Sequence, residues 1–172
     1  RESWPKIMTN VNNACKETGS KLIFFDNVYM YGKATENMTE ETPFNPCSKK
    51  GEVRSAVATL LLNEMKAGNI DAMIARSAAF YGHVGCETSV PNMLLFAKCK
   101  KGKKSQWLIN AKLPHSFTFV PDAAKALYLL ANDDKAYGQT WHLPTDAENI
   151  NGESFIKEAA EAMKVENRYG AL

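Results

Sequence analysis

The sequence has no glycine-rich phosphate loop. Neither GxGxxG nor a loop ending in Gly-Lys-Ser/Thr occurs, so nothing in it is built to grip a dinucleotide or a nucleoside triphosphate by backbone amides. No GxSxG elbow is present, which removes the support for a serine hydrolase. His83, His115 and His142 lack metal-ligand spacing and no cysteine or carboxylate joins them in a cluster, so metal binding is not expected. The four cysteines, Cys15, Cys47, Cys86 and Cys99, form no CxxC pair. Free thiols in a reducing, cytoplasmic setting are expected, although spacing alone leaves a disulfide open. No apolar run approaches the roughly 20 residues of a membrane span and nothing like a signal peptide precedes the first helix-like segment, so the expectation is a soluble chain.

Charge of one sign is also missing. The formal net charge is +2, and the basic residues are dispersed except for Lys98 to Lys104 (KCKKGKK), so no nucleic-acid or membrane footprint stands out. That cluster contains Gly102 and reads as a solvated turn. What remains is ample apolar material. With 172 residues, 45% of them hydrophobic and 23% charged, the chain can bury the core of one ordinary domain.

Along the chain, Trp4, Ile7, Val11 and Cys15 recur at helical spacing before Gly19, a glycine stop. Leu22 to Phe25 is a short continuous apolar run, which predicts a strand buried on both faces as in a parallel sheet. A polar loop with Pro43 and Pro46 follows over 33–47. Val53, Val57, Leu60, Leu61 and Met65 then line one face of a helix ending near Gly68. Ala72 to Ala75 predicts a second buried strand, and this alternation is the rhythm of a parallel α/β fold. Farther on, 90–97 reads as a helix, 106–109 and 116–120 as strands, and 123–131 as a helix. Residues 140–143 could be one more strand, with a last helix over 155–163.

In open parallel sheets ligands bind beyond the carboxyl ends of the strands, which directs attention to 26–32 and 76–82, each ending in Tyr-Gly. Over these segments the chain resembles the extended short-chain dehydrogenase/reductases, the family containing NAD-dependent epimerases and dehydratases that act on nucleotide sugars. The family's Ser-Ser/Thr-x-x-Val-Tyr-Gly lies over Asp26 to Gly32 and its Tyr-Gly-x-x-Lys over Lys50 to Arg54. Its Arg-x-x-Asn-x-Tyr-Gly lies over Arg76 to Gly82, and Phe119 to Asp122 looks like its Val-x-Asp-Asp stretch. The resemblance implies a partial Rossmann-like, doubly wound parallel sheet. Residues 1–82 would be its later part, and 83–172 would mix Rossmann and substrate-side elements. The phosphate-binding unit would lie upstream. Arg1 is no initiator and an apolar segment is starting at Tyr169 to Leu172, so an excised piece is expected.

The resemblance also implies roles. The family's catalytic Tyr falls at Lys50, its Lys at Arg54, its Ser/Thr at Asn27, and the Asn that often touches the nucleotide sugar at Ala79. Asp26, Arg54, Ser77 and Phe80 would face NAD or NADP, and Tyr31, Ala79 and Tyr81 the substrate. Lys50 could transfer a proton if Arg54 and burial favoured its neutral form, whereas a guanidinium stays charged and can only donate hydrogen bonds. Asn27 offers both a donor and an acceptor to a substrate oxygen. Plainer readings stand beside these: Lys50 and Arg54 as solvated charges at a helix start, Asp26 and Asn27 as turn chemistry, and Tyr29, Tyr31, Phe80 and Tyr81 as packing. Gly82-His83-Val84-Gly85 would belong to the substrate side.

Three functions follow from this reading. One is an enzyme of the epimerase, dehydratase or reductase kind acting on a nucleotide sugar or another hydroxyl-bearing small molecule. The second is a catalytically silent cofactor-binding protein of the same fold, favoured by the three replaced positions. The third is a piece that self-associates, with a homodimer through the 53–65 helix and the helix before Leu22.

Overall fold

The computed structural model describes residues 3–34, 36–83, 88–108, 110–146 and 150–171. The chain divides into two compact units, Arg1–Ser77 with Ala126–Leu143, and Ala78–Lys125 with Pro144–Leu172. The first break between the units falls after Ser77, at the end of a strand. The chain returns to the first unit at Ala126.

In the first unit, α1 (Ser3–Thr18) ends at Gly19, whose φ of 67° lies in the left-handed region that favours glycine. The predicted stripe is not the face it buries. Met8 and Asn12 turn inward with Cys15 beside them, while Trp4 and Ile7 are 43% and 48% exposed. Apolar residues occupy two faces of this helix, and periodicity alone cannot choose between them. β1 (Leu22–Asn27) pairs in parallel with β2 (Ala72–Ser77), and β2 with β6 (Thr140–His142), in the order β1-β2-β6. The expectation of burial on both faces holds for β2, buried along its whole length. It fails for β1, which stands at the edge of this sheet and leaves Phe25 44% exposed.

A 3-10 turn over Tyr29–Tyr31 follows β1 and drives Met30 and Tyr31 into the core. α2 (Lys49–Lys66) begins at Ser48, whose hydroxyl accepts the Gly51 amide at 3.1 Å and so satisfies one of the free donors of the first turn. Gly51 is required by proximity, because a Cβ there would lie 2.5 Å from the Tyr29 carbonyl oxygen. This contact presses the start of α2 onto the end of β1. Val57, Ala58 and Leu61 are fully buried against Met30, Tyr31 and Ile74, with Val53, Leu60 and Met65 at the margin, as their spacing predicted.

The second unit holds β3 (Ala79–Tyr81), parallel to β5 (Phe117–Phe119), and β4 (Ser105–Trp107), parallel to β7 (Tyr169–Ala171). The helix predicted over 90–97 contains a π-helical stretch, Asn92–Phe96, which runs into α3 (Ala97–Cys99). The strand read at 106–109 begins one residue earlier; Ile109 lies outside the described residues. α4 (Val120–Ala131) begins in this unit and ends in the first. α5 (Gly152–Met163) opens with a reciprocal cap between Asn151 and Ser154. The core is aromatic: Phe117 stacks on Phe155 at 4.1 Å, and Tyr81 meets Phe155 edge-on at 5.2 Å. β3 and β7 were not predicted as strands; β3 falls within the Arg76 to Gly82 segment that was read as a ligand-facing strand end.

Candidate functional site

The carboxyl end of β1 and the first turns of α2 bring together the residues singled out in the sequence. Asn27 closes a local turn, its Oδ1 accepting the Tyr29 amide at 3.0 Å. The Tyr29 ring, 47% exposed, carries the Lys50 ammonium 4.4 Å from its centre. One helical turn on, Arg54 places Nη1 3.8 Å from Asp26 Oδ1, and its guanidinium lies 4.4 Å over the Trp4 ring of α1. Asn27, Lys50 and Arg54 are thus joined through Tyr29 and Asp26. Ser77 is fully buried in register with Asn27.

Asp26 is the most constrained member. Its carboxylate is inaccessible to solvent, and neither oxygen closes a hydrogen bond among the described residues. Burial raises its pKa, and the Asn27 amide, Arg54 and Arg76 offset this only in part. The Arg54 side chain keeps 19% of its surface exposed, and 3.8 Å is too long for a hydrogen bond, so its donors are not committed to the carboxylate. Planar guanidinium donors of this kind suit the hydroxyls of a ribose or a sugar.

Tyr31 is placed elsewhere. It is 1% exposed, its hydroxyl accepting from Arg76 Nη1 at 2.6 Å and meeting His142 Nε2 at 2.7 Å. The His142 amide in turn donates to Glu40 Oε1 at 2.7 Å. Arg76, 2% exposed, also lies 5.2 Å and 5.0 Å from the centres of the Tyr31 and Phe44 rings. Burial raises the Tyr31 pKa. It lowers that of His142, with Glu40 opposing and Arg76 adding to the shift. This group was missed in the sequence, where His142 had no partner and Glu40 sat in an unremarkable polar loop. Trp4 was missed as well, since nothing linked it to Arg54.

Ala79, Phe80 and Tyr81 lie on β3 of the second unit. There Tyr81 lines a cavity of about 290 Å³ with Phe117, Phe119 and the carboxylates of Asp122 and Glu158. Burial raises the Tyr81 pKa, and Asp122, Asp146 and Glu158 add to it. Val84, Gly85 and Cys86 lie outside the described residues. Cys15, Cys47 and Cys99 are free. Among the described residues no three His, Cys, Asp or Glu side chains gather into a metal-holding group, and no helix is long and apolar enough to cross a membrane.

A parallel α/β fold with its candidate residues at the carboxyl end of a strand is the Rossmann-like architecture predicted from the motifs. The chain belongs to the NAD dependent epimerase/dehydratase family, which it matches over residues 5–143. Among solved structures it is similar to a UDP-glucuronic acid 4-epimerase from Bacillus cereus in complex with UDP-glucuronic acid and NAD. The identity is 17% and the TM-score 0.84, over 98% of this chain and 54% of that one. It is similar to a dTDP-glucose 4,6-dehydratase from Bacillus anthracis str. Ames in complex with NAD (16%, TM-score 0.81, 96% and 53%). A UDP-N-acetylglucosamine 4-epimerase from Methanobrevibacter ruminantium M1, in complex with UDP-N-acetylmuramic acid, shows the same likeness (16%, TM-score 0.82, 96% and 54%). At these identities the likeness is one of fold. The chain spans about half the length of these structures. No curated protein sequence matches it significantly.

Proposed function

We propose that the protein containing this chain is an NAD(P)-dependent enzyme of the epimerase, dehydratase or reductase kind, acting on a nucleotide sugar or another hydroxyl-bearing small molecule through a non-standard site. The observation that carries this reading is the convergence of Asn27, Lys50 and Arg54 at the carboxyl end of β1, linked by the Tyr29 and Asp26 contacts. A nicotinamide cofactor would supply hydride exchange. Arg54 would donate to hydroxyls of its ribose. Asn27, its carbonyl committed to Tyr29, would present amide hydrogens to a substrate oxygen, and Lys50, exposed rather than buried as proton transfer at a neutral amine would require, would face the same oxygen as an ammonium donor. Ser77 and Phe80 would border the cofactor, and Ala79 and Tyr81 the substrate. Tyr31, with its hydroxyl engaged inside the core, would serve as scaffold. Association into a homodimer through α1 and α2 would cover Trp4 and Ile7, which α1 leaves exposed.

One observation favours the silent alternative. Lys50 rests on Tyr29 and Arg54 between Asp26 and Trp4, so both cations already have packing roles. The full-length protein decides between the readings. Calorimetric NAD or NADP binding together with hydride exchange on a panel of nucleotide sugars and alcohols supports the enzyme; tight binding with no exchange supports the silent protein. In an active protein, Lys50→Ala is expected to abolish turnover while cofactor affinity is retained, and unchanged turnover removes Lys50 from the chemistry.

A further inference from the structure

The Asp26 carboxylate has one guanidinium beside it and a second on the neighbouring strand. Arg54 reaches it from α2 at 3.8 Å, and Arg76 is its register partner on β2. The two cations differ in freedom. Arg76 is 2% exposed, donates to Tyr31 and lies against the Tyr31 and Phe44 rings, so it cannot turn out of the core. Arg54 is held from one side by the Trp4 ring and from the other by the carboxylate, closes no hydrogen bond among the described residues, and borders solvent. In a low-dielectric setting the attraction between Arg54 and the Asp26 carboxylate is strong. If the carboxylate loses its charge, that attraction goes, and Arg54, unlike Arg76, borders solvent and has somewhere to go.

We propose that Asp26 is the positioning residue of Arg54: its buried charge holds the guanidinium over Trp4 at the carboxyl end of β1, and the guanidinium leaves Trp4 when that charge is lost. The groups facing Asp26 are Arg54 from α2, Arg76 from β2, the Asn27 amide next in its own strand and, from the turn after β1, the Tyr31 hydroxyl. Burial outweighs their help, so the charge is held at a cost and is open to removal by protonation. On the functional reading above, and only there, Arg54 would be in place for a ribose diol while Asp26 is ionised. Ligand affinity would then fall as Asp26 takes up its proton.

The test uses the full-length protein without ligand, followed by NMR through the Trp4 indole N–H, the Arg54 Nε–H and the Asp26 carboxyl carbon. All three are expected to titrate with one midpoint, and Asp26→Asn is expected to hold the Trp4 and Arg54 signals at their acid-limit positions at every pH. Trp4 and Arg54 signals unmoved by a folded Asp26→Asn protein would overturn the proposal. Should that variant fail to fold, Arg54→Met is the second measurement. An upward move of the Asp26 midpoint supports the pairing, and an unchanged midpoint overturns it. NAD titration is a separate arm: a protein that binds none sinks the functional reading, while the ligand-free signals still decide the role of Asp26.

Discussion

Tyr31→Phe removes one oxygen from the centre of the first unit and should cost far more than its size suggests. That oxygen accepts from Arg76 at 2.6 Å and shares a second hydrogen bond with His142 Nε2 at 2.7 Å, whose direction is set by the imidazole tautomer. In the variant Arg76 stays 2% exposed with its Nε already unpartnered, and now loses its hydrogen bond to Tyr31. A hydrogen bond to a charged group contributes about 1.5–3 kcal/mol, and leaving the charged donor buried keeps the loss near the top of that range. The expected destabilisation is about 2–3 kcal/mol. A unit of this size would melt roughly 10–15 °C lower, with the denaturant midpoint falling and the slope unchanged. Tyr29→Phe is the control, since Tyr29 is 47% exposed, and should lie within about 0.5 kcal/mol of wild type. Combining Tyr31→Phe with Arg76→Met, which removes the stranded charge, should recover much of the loss. A Tyr31→Phe protein as stable as the Tyr29→Phe control would refute this account of the buried group.

His142 and His115 are both held below the ordinary imidazole range by burial, so the unfolded chain takes up their protons first. Their contribution is complete above a pH of about 6.5 and is lost as pH falls below it through the folded-state values; His142→Gln should flatten that acid limb in urea titrations. Asp26 has the opposite sign. Its pKa is raised by burial, so the protonated form favours the fold, and Asp26→Asn should gain stability over wild type at neutral pH, the gap closing as pH falls toward about 4. Gly51→Ala drives a Cβ to 2.5 Å from the Tyr29 carbonyl and should destabilise by about 2–3 kcal/mol. Gly68→Ala, with a φ of 70° but open space around it, should cost only about 1 kcal/mol by thermal melting.

The first unit was legible where burial wrote itself into composition. Ala72 to Ala75 is apolar because β2 is central, and α2 keeps its apolar positions on one face, so both stood out. β1 has the same composition yet lies at an edge of its sheet, and composition cannot say which neighbours are present. The site's chain neighbours, Asp26 with Asn27 and Lys50 with Arg54, were found because motif spacing orders them. Trp4, Glu40 and His142 reach the first unit's polar contacts from distant parts of the sequence, and no local pattern records such pairings. The second unit was read least well, because two of its short strands carry no pattern of their own and its packing is carried by isolated aromatic residues.

The discontinuity of the first unit has a consequence for its synthesis. β2 borders β1 early in the chain, but its other neighbour, β6, is made only after the intervening residues of the second unit. Until His142 leaves the ribosome, the Tyr31 hydroxyl lacks one of its two hydrogen-bond partners and one edge of β2 has no strand beside it. The nascent chain must therefore hold a charged, unfinished core while it builds a different unit, a long-range closure of the kind that slows folding and invites help from chaperones.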